Sequence, residues 1–525
     1  MRRPSWSIFR VCLSFAAATI MAATTSLSLS PAATAGPPAR ASSGESLAGM
    51  YQLLGSGSSM GTQPRRSNEK PAAVQPASVI GHDSSCEAPY GWLSTQGQWI
   101  VRDQDPSCKV RLVGVTWYGM QSTTFTLAGL NFRPYTAILQ EIADLGFNSV
   151  RIPLSDELVK YNKKIKINPK WMKKQNTQDV PRYIHPLQFL DKVIAAAGRL
   201  HLMIILDNHF SKARPAKDVA SHVGVKRGAV RRATEPTWAS DGYTEKQWIA
   251  DWVGLTKRYL KDPTVIGFDL RNEPHTDHNH PYWTLKDYLT HGATWGPCTQ
   301  ALCGNSSKLW KPSTDWVKAA EAAGNAVLKV NPHLLMFVEG VQLYPDPKQA
   351  HGVEPYWWGS ILKGVAVDPI RFNVSNQLVY SPHEWGPWKC CGLQGEFGKK
   401  TTYASLTKIF FDNWAYILTD SHVQAPIWLG EFDTCNSAQP KTRWTYAIKN
   451  ANGCVYGSKP GSEGQWFHIL ISYLQNHPEI SWCYYPINGT NVLDEESNNS
   501  VLDKGWTHPR LPSLMSALKT IEAQP

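Results

Sequence analysis

Glu273 and Glu431 stand where carboxylates could work as a pair. Glu273 lies in the run Gly267-Phe268-Asp269-Leu270-Arg271-Asn272-Glu273-Pro274, and Glu431 in Trp428-Leu429-Gly430-Glu431-Phe432. Each leaves the end of a short, apolar, β-rich run. Other polar groups do the same: Arg151, Asp207 with His209, Asn272, Glu339, His383 with Glu384, and Asp433. Several carboxylates converging in an aromatic setting suit acid/base work on a glycosidic bond, which needs one carboxyl protonated near neutral pH and another ionised. Glu339 is read as a supporting group rather than a reacting one. His275, His278 and His280 are irregularly spaced in a polar loop, so no metal is expected there. No paired Cys or His-Cys spacing reads as a zinc site.

The elements that must position these groups can be read from the apolar pattern. β-rich runs at Arg111–Thr116, Asn148–Ile152, Leu202–Leu206, Val265–Leu270, Leu334–Val338, Gln377–Tyr380, Pro426–Leu429 and Ile480–Tyr484 alternate with helical patterns. The helical stretches are Tyr135–Leu145, Pro186–Arg199, Glu245–Leu260, Trp316–Lys329, Tyr403–Leu418, Gly464–Gln475 and Leu514–Glu522. This alternation predicts an α/β fold, a single (β/α)8 TIM barrel with long βα loops, whose function collects at the C-terminal ends of the strands. A doubly wound sheet binding a dinucleotide would need a Gly-rich phosphate turn after an early strand, and the sequence has none.

Composition bounds the rest. Of 525 residues, 42% are hydrophobic and 18% charged, which excludes a largely disordered chain. Trp 22, Tyr 20 and Phe 15 predict a surface that stacks on flat apolar faces, bases or sugars. The net charge of +11 has no block resembling a nucleic-acid stripe, and the run Val225–Arg232 reads as a solvated loop.

Residues 1–35 read as a signal peptide: Arg2, Arg3 and Arg10, then an apolar run, then Ala33-Thr34-Ala35 as a small-residue cleavage pattern. Residues 36–84 are a flexible, disordered, low-complexity spacer rich in Ser, Gly, Pro and Ala. Residues 85–525 form the catalytic domain. Secretion permits disulfides, and proximity pairs Cys86 with Cys108, Cys298 with Cys303 and Cys435 with Cys454. Nine cysteines remain after the leader, an odd number, so at least one thiol is left over, with Cys390, Cys391 and Cys483 as the candidates.

Taken in order, further runs resemble glycoside hydrolase family 5, closest to its secreted bacterial endo-β-1,4-glucanases. They are Gly114 to Gly119, Leu145 to Pro153, Ile204 to His209, Gly267 to His275, Phe337 to Gly340, Tyr380 to His383, Gly430 to Phe432, and Trp482. The resemblance spans about residues 108 to 515. It implies Glu273 as general acid/base and Glu431 as the nucleophile of a retaining double displacement. It further implies that Asn272 holds the sugar 2-hydroxyl and that Arg151 fixes the nucleophile. His209 and His383 then line the −1 subsite, with Trp482 as its platform. The family usually reads His-x-Tyr where this chain has His383-Glu384-Trp385. An indole N–H can still donate, but it cannot accept or titrate.

The expectation is therefore a secreted, extracellular, retaining cellulase that is monomeric and needs no cofactor or metal. Its partner is a polysaccharide or oligosaccharide, with no nucleic acid and no membrane after leader cleavage. Alternatives are the same chemistry on mannan, xyloglucan or mixed-linkage glucan, exo action on short glycosides, or a carbohydrate-binding pseudo-enzyme. Trp357, Trp358, Trp385 and Trp388 are the expected cleft walls.

Overall fold

The computed structural model describes residues 86–216, 235–276, 283–387, 397–398, 400–436 and 452–525. The expected signal peptide and spacer lie outside them, as do Val225–Arg232, His278, His280, Trp388, Cys390 and Cys391. A small antiparallel sheet comes first: β1 (Leu93–Gln96), β2 (Trp99–Arg102) and β3 (Asp105–Lys109). β1 turns into β2 over Gly97 and Gln98, and Gly97 at φ 56° supplies the left-handed residue a two-residue hairpin needs. This sheet was not anticipated from the sequence.

The main sheet is parallel. It contains β4 (Val113–Thr116), β5 (Ser149–Ser155), β6 (Met203–Phe210), β7 (Val265–Asp269) and β8 (Leu335–Val338). A short hairpin, β9 (Leu343–Pro345) with β10 (Val353–Pro355), sits in the loop after β8. The sheet continues through β11 (Leu378–Tyr380), β12 (His383–Glu384), β13 (Trp428–Phe432) and β14 (Ser481–Tyr484). Its spatial order is β11-β8-β7-β6-β5-β4-β14-β13-β12. β11 and β12 are one strand interrupted at Ser381-Pro382, and the ends of the sheet meet there. Tyr380 bridges Ile427 in parallel, its N–H donating to Pro426 O at 3.0 Å, while the Gly430 N–H donates to Pro382 O at 3.0 Å. The result is the expected (β/α)8 barrel.

Strands buried on both faces read as unbroken apolar runs, which is why all eight were visible in the sequence. Met203, Ile205, Ile266, Leu335, Phe337, Val379, Trp428 and Cys483 fill the barrel interior. Leu93, Ile100 and Val110 join the same cluster, so the small sheet plugs the barrel's N-terminal mouth. The helices form the outer layer at Tyr135–Asp144, Pro186–Arg199, Glu245–Arg258, Trp316–Leu328, Tyr403–Asn413, Glu463–Asn476 and Pro512–Lys519. Side-chain caps start several of them: Thr244, Asp315, Thr402 and Ser462 each accept from a backbone N–H in the first turn.

The tryptophan surplus has a different explanation from the one expected. Trp117, Trp238, Trp248, Trp316, Trp414, Trp428, Trp466, Trp482 and Trp506 are all fully buried. Several donate their indole N–H to backbone carbonyls: Trp248 and Trp252 to Leu270 O at 3.0 and 3.1 Å, and Trp316 to Glu339 O at 2.8 Å. Leu270 and Glu339 directly follow β7 and β8. These indoles fix the backbone from which the functional groups project, and sugar stacking accounts for few of them.

Cys298–Cys303 and Cys435–Cys454 are disulfides, as proximity predicts. Cys86 and Cys108 are in hydrogen-bonding contact, and burial first, then Cys86, pushes the Cys108 thiol up to about 12. Cys483 is buried in the barrel interior.

One helical carboxylate makes the stability of the fold depend on pH. Asp251 is buried on the helix Glu245–Arg258, accepting from Gln247 Nε2 at 2.8 Å, while its Oδ2 has no hydrogen-bond partner among the described residues. Burial pushes its carboxyl up to about 7, against about 3.9 in an unfolded chain. The native state therefore takes up this proton first, and stability falls as pH rises from about 4 to about 7. Asp251→Asn removes that penalty. Thermal melts are expected to show a higher Tm than the parent at pH 8 and an unchanged Tm at pH 4.

Candidate active site

The catalytic mouth is assembled around one buried cation. Arg151, on β5, is wholly buried and points into the C-terminal end of the barrel. Its Nε and Nη2 donate to Asp269 Oδ2 at 3.0 and 2.9 Å, and Nη2 also donates to Asn272 Oδ1 at 2.9 Å. Nη1 donates to Glu431 Oε1. Asp207 and Glu339 lie 3.3 and 3.4 Å from Nη2. Four buried carboxylates so share one guanidinium, whose pKa they hold well above its ordinary value although burial alone would lower it.

A second cation, His383 on β12, completes the cluster. Its Nδ1 lies 3.1 Å from Glu273 Oε1 and 4.0 Å from Glu431 Oε2, and its Nε2 lies 3.2 Å from Glu339 Oε1. Burial opposes a charged imidazole, but Glu339, then Glu431 and Glu273, outweigh it and raise its pKa well above the usual value. His209 behaves oppositely. Burial drives it down to about 4, so it is a neutral ring whose Nδ1 sits 2.7 Å from Asp207 Oδ2.

The two glutamates face each other across this cluster. Oxygens of Glu273 and Glu431, with a ring nitrogen of His383, all lie within 4.8 Å of one another. Glu273 is the more open, its side chain 18% exposed against 5% for Glu431. Burial would raise the Glu273 carboxyl, but the hydrogen bond from His383 and that ring's charge outweigh it and hold the group below its ordinary value. Burial pushes Glu431 up, opposed first by Arg151 and then by His383. Burial likewise brings Asp207 and Asp269 to about 6 despite Arg151.

Glu339 links the two halves. Its Oε2 accepts the Glu273 backbone N–H at 2.7 Å, while Oε1 faces both His383 and Arg151. That contact supports an unusual backbone, since Glu273 sits at φ 48°, in the left-handed region. Gly359, at φ +72°, lies against the pair: a Cβ there would come within 2.2 Å of Glu339 Oε2 and 3.3 Å of Glu273 Cα.

Of the residues singled out by sequence, Glu273, Glu431, Arg151, His209, Asn272 and His383 converge here. Trp385 joins them as a wall, its ring edge-on to His383 at 6.3 Å. Trp358 stacks on His275 at 3.8 Å beside Glu273, whose carbonyl lies 2.6 Å from His275 Nδ1. Trp482 does not join them. Alternation along β14 turns Ser481 and Cys483 inward and Trp482 outward, where it packs on Phe147 and Phe432 and donates to Ile521 O at 3.0 Å. It is 0% exposed and cannot meet a sugar. Tyr485, just past the end of β14, is buried but lies near enough to Glu431 and Glu273 to feel their charge. It stands edge-on to Trp385 at 6.0 Å and stacks on Tyr118 at 5.8 Å. Burial, then the charge of Glu431, raises its phenol well above the ordinary value. The sequence reading missed Tyr485 and Asp269.

A family model for cellulase (glycosyl hydrolase family 5) matches residues 110–491. The chain belongs to glycosyl hydrolase family 5. It is therefore a glycoside hydrolase, and the match covers every residue that converges on this site. Among family 5 relatives, an endoglucanase of Paenibacillus polymyxa is 33% identical over 437 residues, 82% of this chain and 88% of that protein. The major extracellular endoglucanase of Xanthomonas campestris pv. campestris is 30% identical over 415 residues, 78% of this chain and 68% of its own. In structure, a variant of an endocellulase from Pyrococcus horikoshii, solved with cellotetraose, superposes with a TM-score of 0.63 at 25% identity, covering 83% of this chain and 100% of that one. No helix among the described residues is long and apolar enough to cross a membrane.

In this family 5 site the packing of Gly359 gives a direct test of Glu339. Gly359→Ala must push the Glu339 carboxylate off the Glu273 N–H, because a 2.2 Å approach is sterically impossible. A displacement near 1 Å at an acid/base residue costs on the order of 10²-fold in rate. Steady-state kinetics are expected to show that loss in kcat, with KM little changed.

Proposed function

We propose that the chain is a secreted retaining endo-β-1,4-glucanase working by double displacement. The observation that carries this reading is the approach of Glu273 and Glu431 oxygens to within 4.8 Å. A retaining pair stands about 5–5.5 Å apart, whereas an inverting pair needs about 6.5–9.5 Å to admit a water. Glu431, held by Arg151, attacks the anomeric carbon as Glu273 protonates the departing oxygen. Glu273 then takes a proton from water, and hydroxide displaces Glu431 from the sugar.

The hydrogen bond and charge of His383 hold Glu273 below its ordinary value, and the surrounding carboxylates hold His383 above its own, across a contact of 3.1 Å between His383 Nδ1 and Glu273 Oε1. Binding a sugar excludes water from Glu273 and favours its neutral, proton-donating form. Asn272 is oriented by Arg151 through its Oδ1, and its amide N–H, with no hydrogen-bond partner among the described residues, is placed to hold the sugar 2-hydroxyl. With Trp482 turned away, Trp385 and the neighbouring Tyr485 are the aromatics beside Glu273 and Glu431 in this reading. The organisation as leader, spacer and barrel belongs to the same proposal, as does secretion.

The test is product analysis on soluble β-1,4-glucan, β-mannan, xylan and mixed-linkage glucan. Rapid loss of viscosity with few reducing ends released, greatest on β-1,4-glucan, is expected. Release of only short products from chain ends, or preference for mannan, contradicts the assignment.

A further inference from the structure

The loop after β5 carries a charge pattern that the hydrolytic site does not use. Between residues 160 and 182 there are seven lysines and one arginine against a single carboxylate, Asp179. That is a local excess of seven in a chain whose net charge is +11. The loop is well anchored. Ile167, Met172 and Ile184 are buried beneath it, the Ile167 N–H donates to Ile184 O at 3.0 Å, and Asn176 Nδ2 donates to Leu130 O at 2.9 Å. Its cations are held outward on a fixed frame. Among the described residues, the one ion pair reaching this loop is Lys192 to Asp179 at 3.7 Å, and Asp179 also accepts from the Tyr135 hydroxyl.

Five of these cations flank aromatic faces, and Lys160 also lies near enough to the buried Asp251 to act on its carboxyl. Lys160 and Lys164 lie 5.2 and 5.8 Å from the Tyr161 ring. Lys170 lies 4.4 Å from Trp171, and Lys166 and Arg182 lie 5.9 and 5.4 Å from Tyr183. Tyr161 is 37% exposed and Tyr183 58%. The loop leaves β5 at Ser155, on the same end of the barrel as Arg151. It abuts the segments after β6, where Glu157 accepts the Ala213 N–H at 2.9 Å and Lys160 lies 5.0 Å from the Tyr243 ring.

We propose that this loop is an accessory binding surface for carboxylate-bearing polysaccharide, feeding chains with acidic substituents toward the catalytic mouth. Exposed rings take sugar faces, and flexible ammonium groups take irregularly placed carboxylates. Seven of the eight cations are lysines, point charges without the planar fork that favours bidentate phosphate recognition. That composition, together with the position on the rim of a sugar-cleaving site, favours acidic glycan over nucleic acid or membrane. The inference rests on the glucanase reading for its placement but not for its test.

The experiment compares the full chain with the variant Lys163→Gln/Lys164→Gln/Lys166→Gln/Lys170→Gln on carboxymethylated and hydroxyethylated β-1,4-glucan. Both KM values are measured at about 20 and 200 mM NaCl. For the parent, KM on the carboxymethylated glucan is expected to rise about fivefold with salt, because exposed charges are screened. The variant should start at that raised value and respond little to salt. Neither salt nor the substitutions should move KM on the neutral glucan. Equal behaviour of parent and variant on the carboxymethylated glucan overturns the proposal. So does tighter salt-sensitive binding to single-stranded DNA or to vesicles of anionic phospholipid. Should neither glucan be cut, the glucanase reading fails. Retardation in native gels containing the carboxymethylated polymer then still decides this proposal, by its presence in the parent and loss in the variant.

Discussion

Glu431→Gln is expected to lower turnover on β-1,4-glucan by on the order of 10⁴-fold or more, since no other group can form the glycosyl-enzyme bond. The substitution is nearly isosteric and leaves Arg151 with Asp207, Asp269 and Glu339 as partners. It also removes a carboxylate that burial penalises. Tm should therefore hold or rise, which separates lost chemistry from lost fold. Glu273→Ala should leave a different signature. With an aryl glycoside whose leaving group needs no proton, the first step survives, while the second lacks its base. A burst of aryl alcohol followed by a stalled steady state is expected, measured by stopped-flow absorbance. Equal loss in both steps for Glu273→Ala contradicts the acid/base assignment.

Arg151→Met should be the most damaging single change to the site and the fold together. It leaves Asp207, Asp269, Glu339 and Glu431 buried without their shared cation. Removing one partner of a buried ion pair costs about 3–5 kcal/mol, and here several pairs go at once. Relief comes by protonation, so the carboxylates' pKa values rise further and the variant's native state binds more protons than its unfolded state. Its stability must then fall as pH rises. The Tm deficit relative to the parent is expected to be larger at pH 8 than at pH 5, with kcat reduced at both. A variant that melts like the parent at pH 8 contradicts the role given to Arg151.

Much of this was legible in the sequence because parallel barrel strands are apolar on both faces. The runs holding Ile204, Phe268 and Leu429 announce strands without any need for periodicity. The same property hid the facing of Trp482. With both faces apolar, alternation leaves no trace, and a tryptophan inside β14 looks no different from one aimed at the mouth. Position along the strand was the available signal: Trp482 is the second residue of β14, and Tyr485 follows its end. Asp269 was missed for the converse reason, as an acidic residue inside a strand where only the residues after strands were weighed. β1 to β3 escaped because their short, half-polar strands carry a hairpin signal only at Gly97. The loop cations at Lys163 to Lys174 are spaced among Ile, Asn and Pro, so no contiguous basic run marked them. Their common outward facing exists only in the folded loop.

The central claim is that Glu431 forms a covalent bond to the sugar while Glu273 moves the proton. The most direct measurement is intact and peptide mass spectrometry of the parent enzyme after reaction with a 2-deoxy-2-fluoro-β-cellobioside bearing an activated leaving group, which slows both steps but the second more. One added disaccharide is expected, released on standing with a transglycosylation acceptor and located on the peptide containing Glu431. An adduct located on Glu273 or Glu339, or turnover of the activated substrate with no adduct at all, would contradict it.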